Sequence, residues 1–137
     1  DRLDAFHDAM AQDGLLDRIR TLETVTEYPQ GLQDILGALE NTKNLRYLVT
    51  VGPTCTLYAA NALTLADLSP EVTVLGFGET QEALEYVEQG EIEVLFMQAN
   101  TQLGQRGGQI MEQLLTDGET QKRHGIDVNL ITKQNIS

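Results

Sequence analysis

The chain has a single cysteine, Cys55, so no disulfide can form within it, and one cysteine leaves the redox compartment open. It has no tryptophan, three phenylalanines and four tyrosines, so its core must be built from aliphatic side chains. Cations are scarce: nine Lys and Arg against 21 Asp and Glu give a formal net charge of −12. That charge keeps a domain in solution, and it argues against nucleic acid or an anionic membrane as a direct partner of this segment. No apolar run approaches the roughly 18–20 residues of a transmembrane helix. Internal repeats, linkers and low-complexity tracts are missing as well. The 41% of hydrophobic residues in 137 suffices for one domain of ordinary size.

Sites for chemistry are equally sparse. His7 and His124 stand apart, with no histidine or cysteine at helical spacing from either, so no metal site is expected. Cys55 lies just before a helical pattern, where the helix dipole could lower its pKa. No His or Asp sits beside it in sequence, which favours a buried structural thiol over a nucleophile. Gly76 and Gly78, followed by Thr80, could cradle a phosphate, yet the third glycine of a dinucleotide fingerprint and the lysine of a P-loop are both absent. No pair of adjacent acids ends an early strand, as a response regulator would need. No catalytic constellation assembles, so neither an enzyme activity nor a cofactor is expected.

What is present is a clear alternation of strands and helices. The stretch VTVLGFGETQEALEYVEQGEIEVLFMQAN, residues 72–100, reads as strand, tight loop, helix, glycine stop and second strand. Val72, Val74 and Leu75 make the first strand, Thr80 caps the helix, Gly90 ends it, and residues 94–97 make the second strand. Two strands joined by a helix predict a parallel sheet, whose ligands sit at the carboxyl ends of the strands, here near Gly78 and Gln98. Upstream, a helix is expected over 1–12, a strand over 18–25, a helix over 30–40 and a strand over 47–51. A helix capped by Thr54 or Thr56 should then run to about Leu68. Downstream come a helix over 102–115, a polar turn over 117–125 and a last strand over 127–132. Gly104, Gly107 and Gly108 read as close-packing positions within the helix. The predicted class is α/β with a parallel sheet in a three-layer αβα lobe.

The run from VLGFGET through EYVEQGEIEVLFMQAN to GQIMEQLLTDGE resembles the closing part of the type I periplasmic binding protein superfamily. That superfamily includes ribose-type sugar-binding proteins and the effector domains of lac repressor-like regulators. DRLDAFHDAMAQDGL is similar to its R-x-x-G-F helix and glycine stop, and VNLITKQNI resembles the terminal strand of its transport-type members. The resemblance implies three parts. Residues 1–98 form the C-terminal-type ligand-binding lobe, 99–125 a crossover helix of a partner lobe outside this sequence, and 126–137 a return strand and hinge. The start at Asp1, inside a helical pattern and without a signal peptide, leads to the expectation that a preceding segment carries that partner lobe and any address. The implied function is binding a sugar-like small molecule for transport or signalling, in the periplasm or outside the cell. The alternative is the effector core of a cytoplasmic regulator. The apolar stripe of Leu103, Ile110, Met111 and Leu114 should find cover on this lobe, on the partner lobe or in a homodimer.

Site residues follow from the resemblance position by position. Arg2 matches the family's ligand-forking arginine, and Gln98 its hinge glutamine. The family's aromatic wall residue falls at Thr26, with Tyr28 two positions on. Its asparagine–aspartate turn falls at Gly52 and Pro53, and its sugar-gripping aspartate falls at Gly78. Thr54, Glu79 and Thr80 remain as polar groups in the strand-end loops. The expected ligand set is therefore Arg2, Thr26, Gly52, Thr54, Gly78, Glu79 and Gln98. Competing readings are a surface arginine paired with Asp4 and a solvated amide at 98. Losing two carboxylates while keeping an arginine shifts the expected ligand toward neutral or anionic molecules.

Overall fold

In the computed structural model, which describes residues 1–136, the central unit folds as its pattern demands. Strand β2 (Thr73–Phe77) pairs in parallel with β3 (Ile92–Gln98), and helix α4 (Gln81–Gln89) connects them. Thr80 Oγ1 accepts from Ala83 N at 3.2 Å, so the predicted cap forms. Gly90 takes φ 100°, the left-handed conformation that stops a helix, and its N–H returns to Tyr86 O. Ala83 and Val87 face inward from α4 onto β3. Strand β1 (Tyr47–Val49) joins the other side of β2, also in parallel.

Two further helices complete the core. Helix α2 (Gln30–Glu40) buries Leu32, Ile35 and Leu39, which share one face at helical spacing. Each such side chain contributes roughly 1.5–3 kcal/mol when taken from water. Helix α3 (Pro53–Leu65) lies between α2 and β2 and buries Ala59, Ala60, Ala62 and Leu63. Its small alanines permit that close approach. Neither Thr54 nor Thr56 caps it: Pro53 is its first residue, Gly52 is the N-cap, and the helix stops at Leu65 rather than Leu68. Thr56 is fully buried instead, with a different task described below.

The last strand, β4 (Val128–Ile131), differs from the other three by running antiparallel to β3, with Gln98 opposite Val128. Helix α5 (Asn100–Asp117) leaves from the carboxyl end of β3, and the stretch 118–127 brings the chain back to that same end, so β4 must run back beside β3. The sheet order is β1-β2-β3-β4, mixed but mostly parallel, with helices on both sides. No residue of α5 is buried, and Leu103, Met111, Leu114 and Leu115 are all exposed. Ser137, the end of the predicted return segment 126–137, lies outside the described residues.

The strand expected over 18–25 does not form. Helix α1 (Arg2–Gln12) ends near Gly14 as predicted, a 3-10 turn follows at Leu16–Arg18, and the chain then runs extended from Ile19 without a ladder partner. Side chains hold it in place. Arg20 donates to Thr42 Oγ1 at 3.2 Å, Thr24 donates to Asp34 at 2.8 Å, and Tyr58 donates to the Thr26 carbonyl at 2.9 Å. A strand exists only beside another strand, and sequence patterning alone cannot supply one.

Candidate functional site

Helices α3, α4 and α5 all start where β1, β2 and β3 end, so three helix N-termini and three loops gather along one edge of the sheet. The N-caps Gly52 and Ala99 offer no side-chain acceptor to the first turns of α3 and α5. Partial positive charge and backbone donors are therefore concentrated at this edge.

Beneath the edge lies a knot of polar groups. Thr56 Oγ1 donates to Gly52 O at 2.9 Å, lies 2.7 Å from Thr50 Oγ1, and accepts from Phe77 N at 3.0 Å. The first turn of α3 is thereby tied to the ends of β1 and β2. The tie needs glycine at 76. A Cβ there would stand 2.6 Å from Thr50 Oγ1, Thr56 Cγ2 and Thr56 Oγ1.

Arg2 reaches this edge from the first turn of α1. Its Nη1 donates to Val51 O at 2.9 Å, and the guanidinium carbon sits 4.1 Å from the centroid of the Phe77 ring. Phe77 in turn stacks on Phe96 at 5.0 Å with an interplanar angle of 27°. The competing pairing of Arg2 with Asp4 is not what the structure has: Asp4 accepts from the Asp1 backbone nitrogen and forms a capping box with Asp1 at the start of α1. A guanidinium over an aromatic face gains roughly 0.5–1 kcal/mol at an exposed site, and here it also fixes the plane of the remaining donors.

The other expected residues fall into separate places. Glu79 Oε2 accepts from Asn100 Nδ2, linking the β2 loop to the start of α5. Gln98 is exposed at the end of β3, and Thr54 is half-buried in the first turn of α3. Thr26 is exposed, its carbonyl taken by Tyr58, while the Tyr28 ring leans on Tyr58 at 6.3 Å. Gly52 has open space where a Cβ would go. Gly78 does not: a Cβ there would meet Leu95 at 3.2 Å and Ala83 at 3.3 Å, directed into the packing under the loop. Sequence reasoning missed Phe77, Phe96 and Asn100. The two rings are register partners across β2 and β3, so aligning those strands would have revealed them.

Burial pushes the Cys55 thiol up from its ordinary value, against the dipole effect, so it stays protonated at neutral pH. Among the described residues no three His, Cys, Asp or Glu side chains gather to hold a metal, and no helix is long and apolar enough to cross a membrane. The edge can supply oriented donors, acceptors and an aromatic surface to a small polar molecule.

No family model matches the sequence, and no curated protein matches it. Solved structures do match. The chain is similar to GanP, a glucose-galactose binding protein from Geobacillus stearothermophilus, with a TM-score of 0.84 at 16% identity over 98% of this chain and 48% of that one. It is similar to an ABC transporter solute binding protein from Agrobacterium vitis, solved with bound D-fucose, with a TM-score of 0.77 at 19% identity over 93% and 47%. A Bacteroides fragilis structure described as a LacI transcriptional regulator gives a TM-score of 0.69 at 13% identity over 80% and 38%. The chain thus spans about half the length of the first two. At such identities the likeness establishes the fold. The chain is α/β, with the fold of one lobe of a type I periplasmic binding protein.

Proposed function

We propose that this chain is the ligand-binding lobe of a two-lobe protein that captures a sugar or sugar-like molecule for transport or signalling. The observation that carries this reading is Arg2, held between the Val51 carbonyl and the Phe77 ring at the strand ends, on a fold whose solved neighbours include sugar-binding proteins. Arg2, Thr26, Gly52, Thr54, Gly78, Glu79 and Gln98 supply this lobe's share of the site, joined by Phe77. Residues 99–125 belong to the partner lobe. In favour of that division, α5 buries nothing here and exposes Leu103, Met111, Leu114 and Leu115. Cover for that stripe comes from the partner lobe, or from a second copy when the lobe stands alone. Binding of this kind involves no cofactor and no catalytic step.

The ending LITKQNI favours an exported transport or sensor protein, working in the periplasm or outside the cell. An effector core of a lac repressor-like regulator, in the cytoplasm, is the second reading, and the Bacteroides fragilis likeness supports it. A signal peptide encoded ahead of Asp1 selects the first, and a helix-turn-helix the second. The test is titration calorimetry of the two-lobe protein with D-glucose, D-galactose, D-fucose and D-arabinose and with acidic sugars. Micromolar binding of at least one is expected. Heat from none of them contradicts the reading.

A further inference from the structure

The return segment 118–127 lies along one side of α5, and a histidine sits at the seam. Arg106 Nη2 is 3.1 Å from His124 Nδ1, and His124 Nε2 is 3.1 Å from Thr120 Oγ1. Thr120 Oγ1 in turn donates to Gln113 Oε1 at 3.3 Å. A guanidinium has no acceptor, so Nδ1 carries the lone pair and Nε2 the hydrogen. The Thr120 hydroxyl has one hydrogen, already given to Gln113, so it accepts from Nε2. Donation therefore runs one way, from Arg106 through His124 and Thr120 to Gln113, and only the neutral ring permits it. From Asn100 to Asp127, only Arg106, Ile110, Thr120, His124 and Ile126 are not exposed. Polar groups hold this seam, with little buried apolar surface behind them.

We propose that His124 is a pH-sensitive latch, which closes segment 118–127 onto α5 when neutral and releases it when protonated. A proton on Nδ1 turns the acceptor into a donor and sets an imidazolium 3.1 Å from a guanidinium nitrogen. The hydrogen bond is lost and two like charges meet. Among the described residues, the ring nitrogens bond to Arg106 and Thr120 and to no carboxylate that would hold the cation. Glu119, Lys122, Arg123 and Asp127 on the segment, and Glu112 and Asp117 on α5, are all exposed, and Arg106 is the charged group against the ring. The fold thus favours the neutral ring: the latch is closed above the range where histidines titrate and is lost as pH falls through it. Arg106 keeps its charge throughout, and its Nη1 stays on Gln109 Oε1 at 3.1 Å, so the histidine side is the one that moves. Segment 118–127 joins α5 to β4, and α5 buries no residue of its own, so release frees the helix from the returning chain. The switch needs neither ligand nor partner.

Imidazole nitrogen spectra and backbone order parameters of the 137-residue chain, taken at about pH 8 and about pH 5, test the latch. On the alkaline side His124 should carry its hydrogen on Nε2 and none on Nδ1, with order parameters of about 0.85 over residues 119–125. On the acid side those values should fall below about 0.6, while α4 and its flanking strands stay rigid. His124→Gln takes up no proton, so its order parameters should be the same at both pH values. Arg106→Gln removes the opposing cation and puts an amide there that can donate or accept, so the fall should shrink at least about twofold. His7→Gln, which removes the chain's other histidine, should leave the fall intact. A hydrogen on Nδ1 on the alkaline side, or a segment equally ordered or equally loose at both pH values, overturns the proposal. So does a fall that persists in His124→Gln, is undiminished in Arg106→Gln or vanishes in His7→Gln.

Discussion

Gly76→Ala should destabilise the lobe by about 3 kcal/mol and lower its Tm by about 10 °C. The added Cβ would stand 2.6 Å from both the Thr50 and Thr56 hydroxyls, inside contact distance. Thr56 cannot retreat cheaply, because it is fully buried and its Oγ1 accepts from Phe77 N. Moving it leaves that amide without its partner and takes one of two donors from the Gly52 carbonyl, which keeps only the Thr56 N–H. Overpacking and lost hydrogen bonds therefore add rather than trade off. Gly107→Ala is the matched control: nothing lies within 4 Å of its added methyl, and it sits inside α5. That change should stabilise by roughly 0.5–1 kcal/mol through helix propensity alone. Thermal unfolding of both variants decides the matter, and a wild-type Tm for Gly76→Ala would show that the polar knot is not built as described.

Arg2→Ala in the two-lobe protein should weaken ligand binding by about thirtyfold, or roughly 2 kcal/mol. The guanidinium is already oriented by Val51 O and the Phe77 face, so little freedom is lost when its remaining donors meet a ligand. Removing it leaves a ligand oxygen unpaired in a closed cleft. Arg2→Lys should recover little, since a point charge on a flexible stem has neither the fork nor the plane. The same reasoning sets the behaviour of the 137-residue chain alone. With one wall of the cleft, the ligand stays half in water, and each bond contributes about 0.5–1.5 kcal/mol. That chain should bind sugars no tighter than about millimolar. A two-lobe protein indifferent to Arg2→Ala, or micromolar sugar binding by the lone chain, would each count against a shared cleft.

Most of the scaffold was legible because its signals are local. The apolar period of α2, the Thr80 cap and the Gly90 stop of α4 depend on residues within a turn or two of one another. The sequence over 18–25 has the same look as a strand, but a ladder partner is not a local property, and Ile19 onward runs unpaired. The direction of β4 was equally hidden, since it depends on which end of the sheet the chain returns to after α5. Thr56 shows a third limit. Its type and position suggested a cap, while its burial under Gly76 turned its hydroxyl inward. At the site, Arg2 was found from a resemblance and Glu79 from its place in a strand-end loop, and both lie along the strand-end edge. Gly78 was counted as a deleted ligand group, yet the space at its Cβ leads toward Leu95 and Ala83. The Phe77–Phe96 stack went unread because each phenylalanine alone looks like core.

The measurement that bears most directly on the central claim is amide chemical-shift mapping of the two-lobe protein as its best sugar is titrated in. Shifts in this lobe should concentrate in Arg2, Gly52–Thr54 and Phe77–Thr80 and around Gln98–Asn100, the carboxyl ends of three parallel strands. The opposite ends, at Leu45, Val72 and Glu91, should stay still. Shifts centred on those amino-terminal ends, with Arg2 and Phe77 unmoved, would contradict it.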